Sequence, residues 1–309
     1  MSTKDFDKAR AAIMGEGPER IEHIRSGFCA TPLGAKIWQW LREEKINIVI
    51  EKMKMTTSGC VRGPHYDTIY LNSYCRNDDL IFTLAHEARH IWQSRQMAKL
   101  LKSKPVLRER FTSNPWSHRI FQRMIEADAF SFDFVFLLDY FAKEPGRKTI
   151  GLSETAKLAL GAMGYERSNL PDNPDLTTAR RMAFELFFMT DNMVESYDPK
   201  SAPRLVDVAI GSFIIGLDRA ISKVYKKGIN TEKLREDYIL ALGEDAWGEM
   251  GGKNYLADEK GNFEMKPHYT SRFNKVARRR LKRLAWSPQH MGMNTYIRKD
   301  GRKEKLISF

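Results

Sequence analysis

The sequence predicts an α+β protein in which a small sheet is followed by a mostly helical extension. Three observations carry this. Two segments rich in β-branched residues, "INIVIEKM" and "YDTIYLN", lie close together in the first quarter of the chain. A stretch with apolar residues on one helical face, "RNDDLIFTLAHEARHIWQ", comes directly after them. From about Gly146 onward almost every segment has helical rather than strand spacing. At 309 residues the chain is long enough for one large domain or two ordinary ones.

Four zones follow from the pattern. Residues 1–30 are polar and helical in part, a leader to the body behind them. Residues 31–145 form the core. There "AKIWQWLREE" sets Ile37, Trp38 and Leu41 on one side and charge on the other, as a helix packed on a sheet requires. The two strands follow, joined by the Gly-bearing connection "TTSGCVRGPH". "RNDDL" supplies Asn and Asp where a helix starts, and Ile81, Leu84, Ala85, Ala88, Ile91 and Trp92 make its apolar face. A second helix begins near "SNPWSHR", where Pro115 suits a first turn, and ends in a run that is apolar almost all round. Its Phe130, Phe132, Phe134 and Phe136 are expected in the core.

Residues 146–265 are a helical region packed on that core, made of "SETAKLALGAM", "DLTTARRMAFELFFMTDNMVESY", "PRLVDVAIGSFIIGLDRAISKVY" and "TEKLREDYILALG", with "YLADEKGNFEM" as a hairpin. Residues 266–309 are a basic helix, "SRFNKVARRRLKRLAW", and a tail. In that last zone thirteen Lys and Arg oppose only Asp300 and Glu304, so nearly all of the formal net charge of +12 resides there. Phe273, Val276, Ala277, Leu281 and Leu284 form an apolar stripe, which leaves Arg278, Arg279, Lys282 and Arg283 facing solvent. Such a face can draw an anionic partner by counterion release, although a solvated charged face is the commoner meaning of such a run.

Several classes are excluded. The amino terminus has no apolar h-region, and the apolar run Val208 to Leu217 is far shorter than the roughly 20 residues of a membrane helix. A cytoplasmic chain without a transmembrane segment is expected, unless it is secreted by a route that needs no signal peptide. Cys29, Cys60 and Cys75 are odd in number and form no Cys-x-x-Cys pair, which argues for reduced thiols. No phosphate loop, dinucleotide fingerprint, Gly-x-Ser-x-Gly elbow or deaminase cysteine pair is present.

The chemistry lies in "TLAHEARHIWQ". His86 and His90 are four apart on a helix, so their imidazoles share a face and can bind one metal ion. Glu87, about 100° round the helix, can reach a water on that metal without being a ligand. A catalytic zinc needs a third protein ligand and an open position for that water, whose pKa falls toward ~7 when bound. A third histidine six residues on is excluded, because Gln93 and Gln96 stand where Gly and His would be needed. A carboxylate from the next helix is the alternative. "RMIEADAF" offers Glu126 as first choice and Asp128 as fallback. Asp128, Asp133 or a backbone carbonyl can orient the imidazoles through their second nitrogens. Arg89 is expected on the helix exterior or paired with an acidic neighbour. His65, Tyr70, His118 and Tyr140 could each polarise a substrate carbonyl, but nothing in their spacing selects one.

From about Ala30 to Ala142 the order of strand, edge strand, "HEARH" helix and "EADA" helix resembles the zincin metallopeptidases, in the branch with a glutamate ligand. In particular it resembles an uncharacterised bacterial family of metallopeptidase domains. The resemblance implies His86 and His90 as paired zinc ligands, Glu87 as general base and Glu126 as third ligand. It implies that "YDTIYLN" lies at the cleft edge, where a peptide or protein substrate adds as an extra strand. One position departs from the pattern: many relatives carry the ligand glutamate four residues before the aspartate of the second motif, where this chain has Met124.

The expected function is therefore that of a zinc-dependent hydrolase, most naturally a metallopeptidase, with metal-bound water activated by Glu87. The alternative is a nucleic-acid or anionic-surface binding protein built around the basic end, such as a secreted bacterial effector, with an inactive zincin-like core.

Overall fold

The computed structural model describes residues 17–54, 57–62, 66–103, 115–143, 159–164, 174–189, 231–264, 266, 269, 295–297 and 303–305. It is an α+β protein. The chain divides into two compact units. One comprises Met1–Arg95, Asp128–Leu186 and Glu244–Tyr255, and the other Gln96–Ala127, Phe187–Gly243 and Leu256–Phe309.

The first unit opens with helix α1, Gly17–Phe28, which lies within the polar leader zone. Ile24 and Phe28 are buried with the main apolar cluster, so this part of the leader belongs to the core. Its Arg20 side chain is buried as well. It donates to the carbonyls of Ser73 (2.8 Å) and Cys75 and, through Nε, to Asn77 Oδ1 (2.6 Å), the turn from which the histidine-bearing helix starts. Helix α2, Pro32–Glu43, is capped by Thr31, whose hydroxyl accepts from the Gly34 amide at 2.9 Å, with Pro32 in the first turn. Gly34 is required by close approach: a Cβ there would meet the Phe28 carbonyl oxygen at 1.8 Å.

The sheet has three strands, β1 (Asn47–Glu51), β2 (Gly59–Arg62) and β3 (Thr68–Asn72), in the order β1-β3-β2. β1 runs parallel to β3 in the register Val49 to Tyr70, and β2 runs antiparallel with Cys60 opposite Tyr70. The Gly-bearing connection expected to be a loop therefore holds a strand of its own. As a result β3, expected at the cleft edge, is the central strand, and β2 is an edge. Pairing on both sides satisfies the backbone groups of β3, which leaves that strand no room for an added peptide.

Helix α3, Asn77–Ser103, and helix α4, Pro115–Lys143, follow. Both run unbroken through the points where the two units divide. The expected apolar face of α3, from Ile81 to Trp92, is buried, as are Phe132, Phe134 and Phe136 of α4. Phe130 departs from that expectation: it is half-buried and stands against the His86 ring rather than in the core. Residues 159–162 are helical, and helix α5, Leu176–Met189, is capped by Asp175.

The second unit contains helix α6, Thr231–Leu242, and an antiparallel pair, β4 (Thr295–Ile297) and β5 (Lys303–Lys305). The hairpin expected in "YLADEKGNFEM" is replaced by turns, in which Asp258 Oδ1 accepts the amides of Lys260 and Asn262 at 2.8 Å each. The helix expected over "PRLVDVAIGSFIIGLDRAISKVY" and the basic helix "SRFNKVARRRLKRLAW" lie outside the described residues, as does the rest of "SETAKLALGAM" before Ala159. Among the described residues no helix is long and apolar enough to cross a membrane.

Candidate metal centre

α3 buries one face and turns His86 and His90 to a half-buried neighbouring face. Their rings stand edge-on with centroids 4.7 Å apart, and the two Nε2 atoms are 3.0 Å apart. Each ring is held from behind. His86 Nδ1 lies 2.8 Å from Asp133 Oδ2, and His90 Nδ1 lies 2.8 Å from Gln93 Oε1. Phe130 meets the His86 ring at 4.8 Å between centroids.

α4 supplies the opposing groups from one stripe: Glu126, Phe130 and Asp133 are spaced four and three apart, so they fall on one side of the helix. The ligand atoms of His86, His90 and Glu126 all lie within 4.8 Å of one another.

Chemistry tests whether a metal fits. A neutral imidazole that gives its one N–H to an oxygen through Nδ1 presents a lone pair at Nε2. Two lone pairs 3.0 Å apart repel unless a cation or a proton sits between them. Ring nitrogens on one tetrahedral zinc, at about 2.0–2.1 Å each, lie roughly 3.3 Å apart. With the Glu126 carboxylate on a flexible stem, two neutral nitrogens and one anionic oxygen form a donor set that suits a divalent ion such as zinc.

Glu87 is buried on α3, about 100° from His86. Gly59 of β2 packs over it: a Cβ at Gly59 would fall 2.5 Å from Thr83 Cγ2 and 3.2 Å from Glu87 Cγ. Only a residue without a side chain lets the edge strand approach the helix this closely at the acid.

Asp128, the fallback ligand, is committed elsewhere. It lies two residues from Glu126, about 200° round α4, and is fully buried. Its Oδ2 accepts from Arg89 Nε (2.7 Å) and Gln93 Nε2 (2.6 Å), and its Oδ1 accepts from Arg180 Nη2 (2.8 Å) and the Tyr255 hydroxyl (2.7 Å). Arg180 Nη1 pairs with Glu249 at 2.6 Å. Burial pushes the Asp128 carboxyl up, but Arg89 and Arg180 outweigh it and hold the group below the ordinary carboxylate range. Burial, and then the Asp128 charge, push the Tyr255 phenol well above its usual value, so it remains a donor.

Arg89 thus pairs with an acidic neighbour, and it is not exposed: its guanidinium also lies 3.9 Å from the Trp92 ring centroid. Of the groups considered for carbonyl polarisation, Tyr140 is in the core against Phe82, and Tyr70 sits beneath the Arg62 guanidinium. His65 and the His118 side chain lie outside the described residues.

Sequence reasoning overlooked Gln93, although its spacing three residues after His90 on one helix was a usable signal. Arg180, Glu249 and Tyr255 had no such signal, because they join the cluster from distant segments. Comparison with protein-family models, curated proteins and solved structures finds no match to the chain.

Proposed function

We propose that the protein is a zinc-dependent hydrolase of zincin-like architecture, acting on peptide bonds. His86, His90 and Glu126 would hold the ion, and Glu87 is the general base. The observation that carries this reading is the convergence of two imidazole Nε2 atoms at 3.0 Å with the Glu126 carboxylate beside them. Zinc, when bound, supplies a Lewis acid that polarises a carbonyl and acidifies water. The Glu87 carboxylate takes the proton of the attacking water and delivers it to the departing amide nitrogen, a general acid–base role worth about 10²–10⁴ in rate. Asp133 and Gln93 keep the two rings turned so that their Nε2 atoms face Glu126. A peptide substrate is favoured because β2 is an edge strand that passes directly over Glu87, and an extended chain can add to such an edge by main-chain hydrogen bonds.

Metal analysis tests the reading. Protein loaded at neutral pH should hold one zinc per chain. Glu87→Gln should keep that zinc and lose turnover of unstructured peptides, and His86→Ala should lose both. A wild-type chain without stoichiometric zinc would show that a proton, not a metal, lies between the rings.

A further inference from the structure

We infer that Gln93 is a positioning residue that fixes the tautomer of His90, and that the buried Asp128 dictates which way Gln93 faces. This rests on the metal-site reading above and extends it to a residue that does not touch the ion.

A glutamine amide has two ends of nearly equal shape, one a donor and one an acceptor, so its direction is set by its partners. Asp128 is ionised and can only accept. Its Oδ2, 2.6 Å from the Gln93 amide, therefore requires the NH2 end. The oxygen end is then left facing His90 Nδ1 at 2.8 Å, and an amide oxygen can only accept. The His90 proton must sit on Nδ1, and the lone pair of Nε2 points to His86 and Glu126. Gln93 is 1% exposed and Asp128 is 0% exposed, so water cannot substitute for either partner.

Asp128 in turn cannot rotate away, because Arg89, Arg180 and Tyr255 hold it from three further directions. The two rings are therefore oriented differently. His86 leans directly on a carboxylate, Asp133, whereas His90 leans on a neutral amide with a carboxylate one bond further back. A residue that merely filled space at position 93 would need only the right length and volume, which methionine also has.

The test is nitrogen NMR of the metal-free protein labelled at histidine, at a pH where the rings are neutral, together with zinc titration. Wild-type His90 should carry its proton on Nδ1. In Gln93→Met the His90 proton should move toward Nε2 while the His86 proton stays on Nδ1, and zinc affinity should fall about 10–100-fold. A wild-type His90 protonated on Nε2 would overturn the inference whether or not the variant folds. So would a folded Gln93→Met with an unmoved tautomer and undiminished zinc affinity, a result that leaves the hydrolase reading standing. Failure of the wild type to bind zinc removes the hydrolase reading, while the tautomer measurement still decides the role of Gln93.

Discussion

Helices α3 and α4 carry polar side chains on two sides, and the two sides have opposite characters. On one side His86, His90, Glu126 and Asp133 are half-buried, and the two imidazole Nε2 atoms face each other across 3.0 Å. On the other, Arg89, Gln93 and Asp128 are sealed from solvent with Arg180 and Tyr255, and each Asp128 oxygen is met by donors. Polar residues two or three positions apart on the same helices do different work. With Glu249 paired to Arg180, the inner set balances two positive charges with two negative ones and holds segments together; the outer set brings two imidazoles and carboxylates to one place, a combination that favours a cation.

The comparison is broken most severely at its inner side. Asp128→Ala leaves two buried guanidinium groups without their shared carboxylate and should cost about 3–5 kcal/mol, a large part of the roughly 5–15 kcal/mol that stabilises a typical domain. Urea denaturation would measure it. Glu126→Ala, two residues away and only half-buried, should cost less than Asp128→Ala, about 1 kcal/mol, yet abolish stoichiometric zinc. Equal denaturation midpoints for the two variants would mean that the two sides do not differ as described.

A smaller effect is expected where the two sides share a purpose. Asp133→Ala removes the carboxylate behind His86, and zinc affinity should drop by about 10–100-fold with little change in thermal stability. An unchanged dissociation constant would show that His86 keeps its orientation without Asp133.

The smallest effect concerns a carboxylate of neither set. Asp175 caps α5, accepting from the Thr178 hydroxyl at 2.6 Å and from the Thr177 and Thr178 amides at 3.1 and 3.2 Å. The Thr178 side-chain bond, with the amide bonds, holds its carboxyl below the usual value of 3.8. Because the folded value is depressed, its stabilisation is fully present above about pH 4 and is lost as pH falls through the folded value. Asp175→Ala should cost about 0.5–2 kcal/mol near neutrality, and the difference from wild type should shrink as pH falls below the usual carboxyl value of 3.8. A difference that persists there would assign the effect to helix propensity rather than to the ionised cap.

Much of this architecture was legible in the residues. The 3.6-residue period placed the buried face of α3, and β-branched content marked β1 and β3. β2 was not legible, because four residues beginning with glycine have little strand character until β3 offers its edge. That omission reversed the edge assignment. In the site, the four-residue spacing of His86 and His90 with Glu87 between them needs only helix geometry. Glu126 was the first choice for third ligand, and the coordinates bring its carboxylate, rather than that of Asp128, to the imidazoles. Arg89 was expected on the helix exterior or paired with an acidic neighbour; it pairs with Asp128 but is buried, and that burial depends on Asp128, Trp92 and Trp247, which only packing brings to it.

By itself the sequence determined which side chains share a helix face, since that follows from 1.5 Å of rise and 100° of turn per residue. It therefore determined that two imidazoles could act together and that an acid lay beside them. Tertiary structure alone decided which carboxylate faced those imidazoles and which was enclosed by two arginines. Glu126 and Asp128 differ by two positions on one helix, and the environment of a charge is set by whatever packs opposite it, which here comes from segments as distant as Arg180 and Tyr255.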